Sequence, residues 1–78
     1  MTNLEKYNAV FCENLNVTDT QLADLKYQSV PEWDSVGHMS LVAAIEDAFD
    51  IMLDPEDILE FTSYDNAKAI LAKYDIEL

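Results

Sequence analysis

The chain has 78 residues, with 16 acidic residues against four lysines, and its formal net charge is −12. A charge of this sign and size repels nucleic acid and anionic membrane surfaces, attracts basic protein surfaces, and favours a monomer at low salt. There is no run of about 20 apolar residues that would predict a membrane span, and no signal-peptide pattern begins the sequence. We therefore expect a cytoplasmic protein that binds neither nucleic acid nor membrane.

The length and the hydrophobic content of 50% predict one globular domain, residues 1–78. Cys12 is the only cysteine, so an internal disulfide is excluded, and we expect a buried, unreactive thiol. The charge is also unevenly distributed. Between Lys26 and Lys68 the sequence has ten acidic residues and neither lysine nor arginine. This gap predicts an acidic surface suited to basic partners.

The first predicted helix runs from about Asn3 to Asn14. Thr2 and Glu5, three residues apart, have the capping-box pattern at its start. Helical spacing relates its apolar residues, which are Leu4, Tyr7, Val10, Phe11 and Leu15.

Residues 16–34 predict a long connection with one short helical turn near Asp19–Leu25. Pro31 disfavours helix at the residue before it. Connections of this length are uncommon in compact domains and are often functional. We expect its apolar residues to be held against the core, namely Val17, Leu22, Leu25, Val30 and Trp33.

Three further helices are predicted. The second helix spans about Ser35 to Phe49. A short third helix has Asp54 as its N-cap and Pro55 at its first position. Its expected apolar side is Ile58, Leu59 and Phe61. Thr62 or Ser63 caps the last helix, whose apolar face is Tyr64, Ala67, Ile70, Leu71 and Tyr74. The fold class is therefore all-α: a small four-helix bundle of three longer helices and one short helix, with a long first loop.

The second helix has two apolar faces on a helical wheel. The face predicted to enter the core is His38, Leu41, Val42, Ile45, Ala48 and Phe49. A second strip consists of Val36, Met39 and Ala43 and is extended by Glu46 and Asp47. This strip either docks a partner or packs under the long loop.

Ser35 stands at the predicted start of this helix, directly after Asp34. A serine in this place commonly acts as a helix cap. Unpaired backbone N–H groups and the helix dipole would equally accommodate a phosphate ester on its hydroxyl. The residues themselves leave both interpretations open.

The segment "DSVGHMSLVAAIEDAFDI" resembles the signature of acyl carrier proteins, in which an Asp-Ser-Leu motif opens the second helix. The resemblance extends over nearly the whole chain and includes its length and acidity. It implies that Ser35 carries a 4′-phosphopantetheine arm, transferred from coenzyme A by a separate phosphopantetheinyl transferase with Mg²⁺. Asp34 would help to engage the transferase and its metal. The arm would hold an acyl group as a thioester.

The resemblance also implies partners: acyl-activating and acyl-transferring enzymes with basic patches, docking on the second helix. Glu46 and Asp47 would meet those patches, and Val36 and Met39 would supply apolar contacts beside Ala43. The cargo would lie among Leu41, Ile45, Ile58 and Leu59. The sequence departs from carriers of fatty acid synthesis, where acids are common at the positions of Gly37, His38 and Ser40. It looks more like stand-alone carriers of lipid, polysaccharide or secondary-metabolite pathways.

Other functions are weighed against the carrier. A hydrolase using Ser35, His38 and Asp34 would crowd its catalytic groups into one helix turn, and the nucleophile-elbow motif is missing, so no enzymatic activity is predicted. The EF-hand loop pattern is also missing. A peptidyl or aminoacyl carrier and an unmodified acidic adaptor remain as alternatives. The roles of Gly37 and of His38, which would either be half-buried or contact the phosphate, stay open.

Overall fold

The computed structural model describes residues 2–78 and is all-α, as predicted. The helices are α1 (Asn3–Leu15), a 3₁₀ helix (Asp19–Asp24), α2 (Ser35–Phe49), α3 (Pro55–Glu60) and α4 (Tyr64–Ala72). Within residues 2–78 the only β pairing is an isolated bridge between Lys26 and Ser63. None of the helices in this part of the chain has the length and apolar composition needed to cross a bilayer.

Helix α1 begins with the predicted capping box. The Glu5 amide donates to Thr2 Oγ1 at 3.1 Å, and the Thr2 amide donates to Glu5 Oε1 at 3.0 Å. These reciprocal bonds satisfy two backbone donors that the first turn leaves without helical partners. The helix ends at Asn16, which adopts the left-handed conformation (φ 54°).

An aromatic cluster centred on Phe11 forms the middle of the core. Phe11 is fully buried, and its ring centroid lies 4.8 Å from that of Tyr7 and 5.4 Å from that of Tyr64. The Trp33 ring meets Phe11 edge-on at 5.7 Å, and the Phe61 ring stacks at 6.1 Å. The cluster therefore joins α1, the long loop and the segment after α3.

The long loop is held against the core as predicted. Val17, Leu22, Leu25 and Trp33 are buried, and Val30 is half-buried. Backbone hydrogen bonds then attach the loop to the connection between α3 and α4. Leu25 accepts from the Tyr64 amide at 3.0 Å, and the Tyr27 amide donates to Thr62 at 2.7 Å. The loop is thus a fixed layer of the fold.

Helix α3 differs from the prediction in two respects. Leu59, expected on its apolar side, is 78% exposed. The Asp54 side chain makes no capping hydrogen bond, although Asp54 does occupy the N-cap position. A helix of six residues completes fewer than two turns, so the apolar spacing of its sequence does not identify the face that meets the core.

Polar contacts around Asp57 attach α3 to the end of the chain. Asp57 is only 6% exposed, and its carboxylate accepts from Lys73 Nζ at 2.6 Å and from the Tyr74 hydroxyl at 2.5 Å. The same Tyr74 hydroxyl accepts from the Asp54 amide at 3.0 Å. The hydrogen bond from Lys73, and after it that from Tyr74, holds the pKa of the Asp57 carboxyl below its usual range.

We expect Asp57→Asn to lower the melting temperature at neutral pH, because the buried carboxylate loses its charge-assisted hydrogen bonds with the partly exposed Lys73 and with Tyr74. A lowered folded-state pKa means that the ionised carboxylate stabilises the fold above the ordinary aspartate range, and that this contribution is lost as the pH falls through the folded-state value. The difference from the wild-type protein should therefore shrink on acidification. Thermal melts followed by circular dichroism across the acid range would measure it.

Asp47→Asn is the matched control, because Asp47 is an exposed acid on α2. Equal effects of the two substitutions at neutral pH would contradict the role given to Asp57.

Candidate functional site

Ser35, at the start of α2, does not cap the helix. The cap is Asp34, whose Oδ1 accepts from the Gly37 amide at 2.8 Å and whose backbone carbonyl accepts from the His38 amide at 2.8 Å. Ser35 is the first helical residue and is exposed, and its hydroxyl makes no hydrogen bond within residues 2–78. The interpretation of Ser35 as a helix cap is therefore wrong, since the aspartate fills that role.

Gly37 allows the loop to approach α2 closely. A Cβ atom at this position would lie 1.8 Å from the carbonyl oxygen of Glu32, far inside van der Waals contact. Glycine thus permits the residues just before Ser35 to lie directly on the first turn of α2. Here the close neighbour is the protein's own backbone.

His38 connects three segments beneath this turn. Its Nδ1 accepts from the indole Nε1–H of the fully buried Trp33 at 3.0 Å. The proton therefore resides on Nε2, which donates to the carbonyl oxygen of Ile58 at 2.9 Å. The Trp33 and His38 rings also stack, with centroids 6.3 Å apart. We call the set Trp33, His38 and Ile58 the histidine latch.

The latch decides between the interpretations left open for His38. The residue is half-buried, and both ring nitrogens are engaged by Trp33 and Ile58. Neither nitrogen is paired with Ser35, so the geometry does not provide the serine–base pair that a hydrolase requires. Cys12, predicted to be buried, is half-buried, and desolvation together with its hydrogen bond to Asp19 raises the pKa of its thiol.

The second apolar strip of α2 lies on the surface and not under the loop. Val36 is 76% exposed and Met39 is 56% exposed, and Ala43 is exposed as well. The opposite face of the helix supplies Leu41, Val42 and Ile45 to the core. Exposed aliphatic side chains thus form a small apolar strip on one helix face, beginning one residue after Ser35; exposed strips of this kind often mark docking sites.

Glu46 and Asp47, the two acids that extend this strip, differ in their exposure to solvent. Asp47 is exposed. Glu46 is half-buried, and its Oε2 accepts from the Leu53 amide at 2.8 Å. Glu46 thus joins the end of α2 to the segment leading into α3. Asp47 is the acid that the geometry offers most directly to a partner.

The lysines only partly offset the acids of α2 and α3. Lys73 is paired with Asp57. Lys6 lies over the ring of Phe49 at 5.4 Å, and Lys68 lies over the ring of Tyr64 at 4.5 Å. Lys6 thus brings its charge to the end of α2, and Lys73 brings its charge to α3. Neither α2 nor α3 contains a lysine or arginine of its own, so the surface around Asp47 keeps an excess of acids that favours basic partners.

The described residues offer no metal site, and the comparisons with known proteins found no relative. The His, Cys, Asp and Glu side chains of residues 2–78 form no group of three or more able to hold a metal ion. Comparisons with protein-family models, curated proteins and solved structures found no match. The functional argument accordingly depends on the chemistry and placement of Ser35 and its neighbours.

Two elements near the site were not identified from the sequence. One is the histidine latch, which requires Trp33 and Ile58 to converge on His38 from other segments. The other is a cleft lined by Tyr27, His38, Leu59 and Thr62. The lone histidine at the edge of a core stripe was the only local signal for either.

We expect Gly37→Ala to destabilise the fold, although alanine favours helix by about 1 kcal/mol over glycine. The contact with Glu32 has to be relieved by moving backbone, and overpacking of this kind costs about 1–3 kcal/mol. Chemical denaturation should show a net loss of unfolding free energy.

Ser40→Ala is the control, since Ser40 is exposed on the same helix and should be neutral or slightly stabilising. A Gly37→Ala variant as stable as the wild-type protein would show that the loop does not need its close approach to α2.

Proposed function

We propose that the chain is a carrier protein of the acyl-carrier type, with a 4′-phosphopantetheine arm attached to Ser35. The observation that carries this proposal is the position of Ser35. It is the exposed first residue of α2, and Asp34, not Ser35, caps the helix. When attached, the group supplies a flexible thiol that holds an acyl cargo as a thioester.

The start of α2 suits a phosphate ester on Ser35. The amides of Ser35 and Val36 make no hydrogen bond within residues 2–78, so both remain as donors near an anion. In attachment, Ser35 Oγ loses its proton and forms a P–O bond, while the anhydride bond of coenzyme A breaks and adenosine 3′,5′-bisphosphate leaves. The exposed Asp34 carboxylate lies beside the acceptor, where it would meet the transferase and its Mg²⁺.

The exposed strip of α2 supports a shuttle that docks on several enzymes. Val36, Met39 and Ala43 give a partner apolar contact, and Asp47 gives it charge. A surface this small and this charged favours weak, salt-sensitive complexes, because exposed ion pairs are readily screened. Weak docking allows rapid exchange between partners, and a tethered cargo has a high effective concentration at each of them.

Intact-mass spectrometry tests the attachment. The protein is incubated with coenzyme A, Mg²⁺ and a broad-specificity phosphopantetheinyl transferase. We expect a gain of one phosphopantetheinyl group in the wild-type protein and none in Ser35→Ala.

Ser40→Ala is the matched control, because Ser40 is also exposed on α2, and this variant should be modified like the wild-type protein. Failure of several transferases to modify the wild-type protein would favour an unmodified acidic adaptor. Preferential loading of amino acids over acyl groups by partner enzymes would instead indicate a peptidyl or aminoacyl carrier.

Reversing the charge of the exposed acid on the strip tests the docking face. We expect Asp47→Lys to lower the kcat/KM of the transferase several-fold at low ionic strength, because rim charges steer association. The difference should diminish at high salt. Asp65→Lys, an equally exposed change on α4, should have little effect, and equal effects of both would assign the result to net charge alone.

A further inference from the structure

Two surface clefts adjoin at Leu59 and Thr62. The smaller cleft, of about 170 Å³, lies between the long loop, α2 and the end of α3, and Tyr27 and His38 complete its lining. The larger, which we call the α4 groove, measures about 430 Å³. Its lining residues are Leu59, Glu60, Thr62, Asn66, Ala69, Ile70 and Lys73. Because Leu59 and Thr62 line both, the two clefts are neighbours on the surface, and together we call them the path.

This path begins close to the proposed attachment site. His38, in the wall of the smaller cleft, is three residues after Ser35, or about 5 Å along the axis of α2. Leu59 is 78% exposed where the clefts meet.

The core is closed to an acyl group carried on Ser35. Leu41, Ile45 and Phe61 are fully buried in it. The histidine latch joins α2 to the end of α3, and the hydrogen bond that the Leu53 amide donates to Glu46 joins α2 to the segment leading into α3. Parting these segments would leave buried hydrogen-bonding groups without partners, which is costly.

We propose that the acyl cargo of this carrier runs outward along the α4 groove and not into the core. The proposal rests on the carrier function of Ser35. The volumes support it, since a cavity of about 150 Å³ holds a single benzene molecule, whereas small-molecule sites commonly measure about 300–1,000 Å³. The smaller cleft alone is too small for more than a short chain, and the α4 groove supplies the remaining length.

The lining of the α4 groove indicates the chemistry of the cargo. Leu59, Ala69 and Ile70 form an apolar floor. The Asn66 amide nitrogen donates to Thr62 Oγ1 at 3.0 Å, which leaves the Asn66 carbonyl oxygen as an acceptor on the rim. Lys73, 58% exposed at its side chain, adds a donor. A medium-length acyl chain with a hydroxyl or amide substituent matches this surface better than a saturated chain.

The test compares two exposed alanines of α4. Ala69 lines the groove, whereas Ala72 lies on a different part of the surface. The transferase loads octanoyl or β-hydroxyoctanoyl phosphopantetheine from the acyl-coenzyme A, intact mass verifies loading, and melting temperatures are compared with the form bearing the free thiol. We expect both acyl groups to raise the melting temperature, the hydroxylated one more. Ala69→Phe should remove at least half of this increase, and Ala72→Phe should retain it.

Amide chemical shifts of the loaded wild-type protein give a result that does not depend on the folding of any variant. Attaching the acyl group should shift the amides of Asn66 and Ala69 and leave those of Leu41 and Ile45 in place. Chemical-shift changes concentrated at Leu41 and Ile45 would contradict the proposal that the cargo lies in the α4 groove. No change at any of these four amides would contradict it as well. Either result would leave the carrier function intact. If Ser35 is not loaded, both the proposed carrier function and the proposed cargo groove are contradicted.

Discussion

The hydrogen bond from the buried indole of Trp33 to His38 is the interaction on which the arrangement around Ser35 depends. It fixes the tautomer of His38, and the tautomer in turn makes Nε2 a donor to Ile58. One neutral ring thus holds together the end of the long loop, the first turn of α2 and the end of α3. A buried polar network of this kind specifies geometry because every member has a partner.

Polar side chains also determine how α3 is attached. The one buried residue of α3 is Asp57, and its carboxylate accepts hydrogen bonds from Lys73 and Tyr74, near the end of the chain. Glu46 holds the entry to the helix from the other side. The apolar core lies mainly among α1, α2, the loop and α4, and α3 is added to it through directional contacts. This arrangement leaves Leu59 available at the surface.

Local patterns were sufficient to predict the long helices. The capping box of α1 follows from its motif and the bounds of α2 from apolar spacing, whereas the exposure of Val36 and Met39 required the structure, because the helical wheel left packing under the loop open. Short α3 offered too few turns for periodicity to be informative. Local sequence patterns do not predict contacts between segments that are distant in sequence. The contact of Asp57 with Lys73 is one example, and the contacts of His38 with Trp33 and Ile58 are another. The position of Ser35 at the start of α2 was predictable from the sequence. Only the structure showed that Asp34, and not Ser35, caps the helix.

The histidine latch also provides an intrinsic optical probe. Trp33 is the only tryptophan of the chain, it is fully buried, and its ring stacks on His38. The intrinsic tryptophan fluorescence therefore originates at a single point, directly beneath the first turn of α2. Emission from this residue is sensitive to the polarity of its surroundings, so events at Ser35 that disturb the loop are observable without attaching a dye.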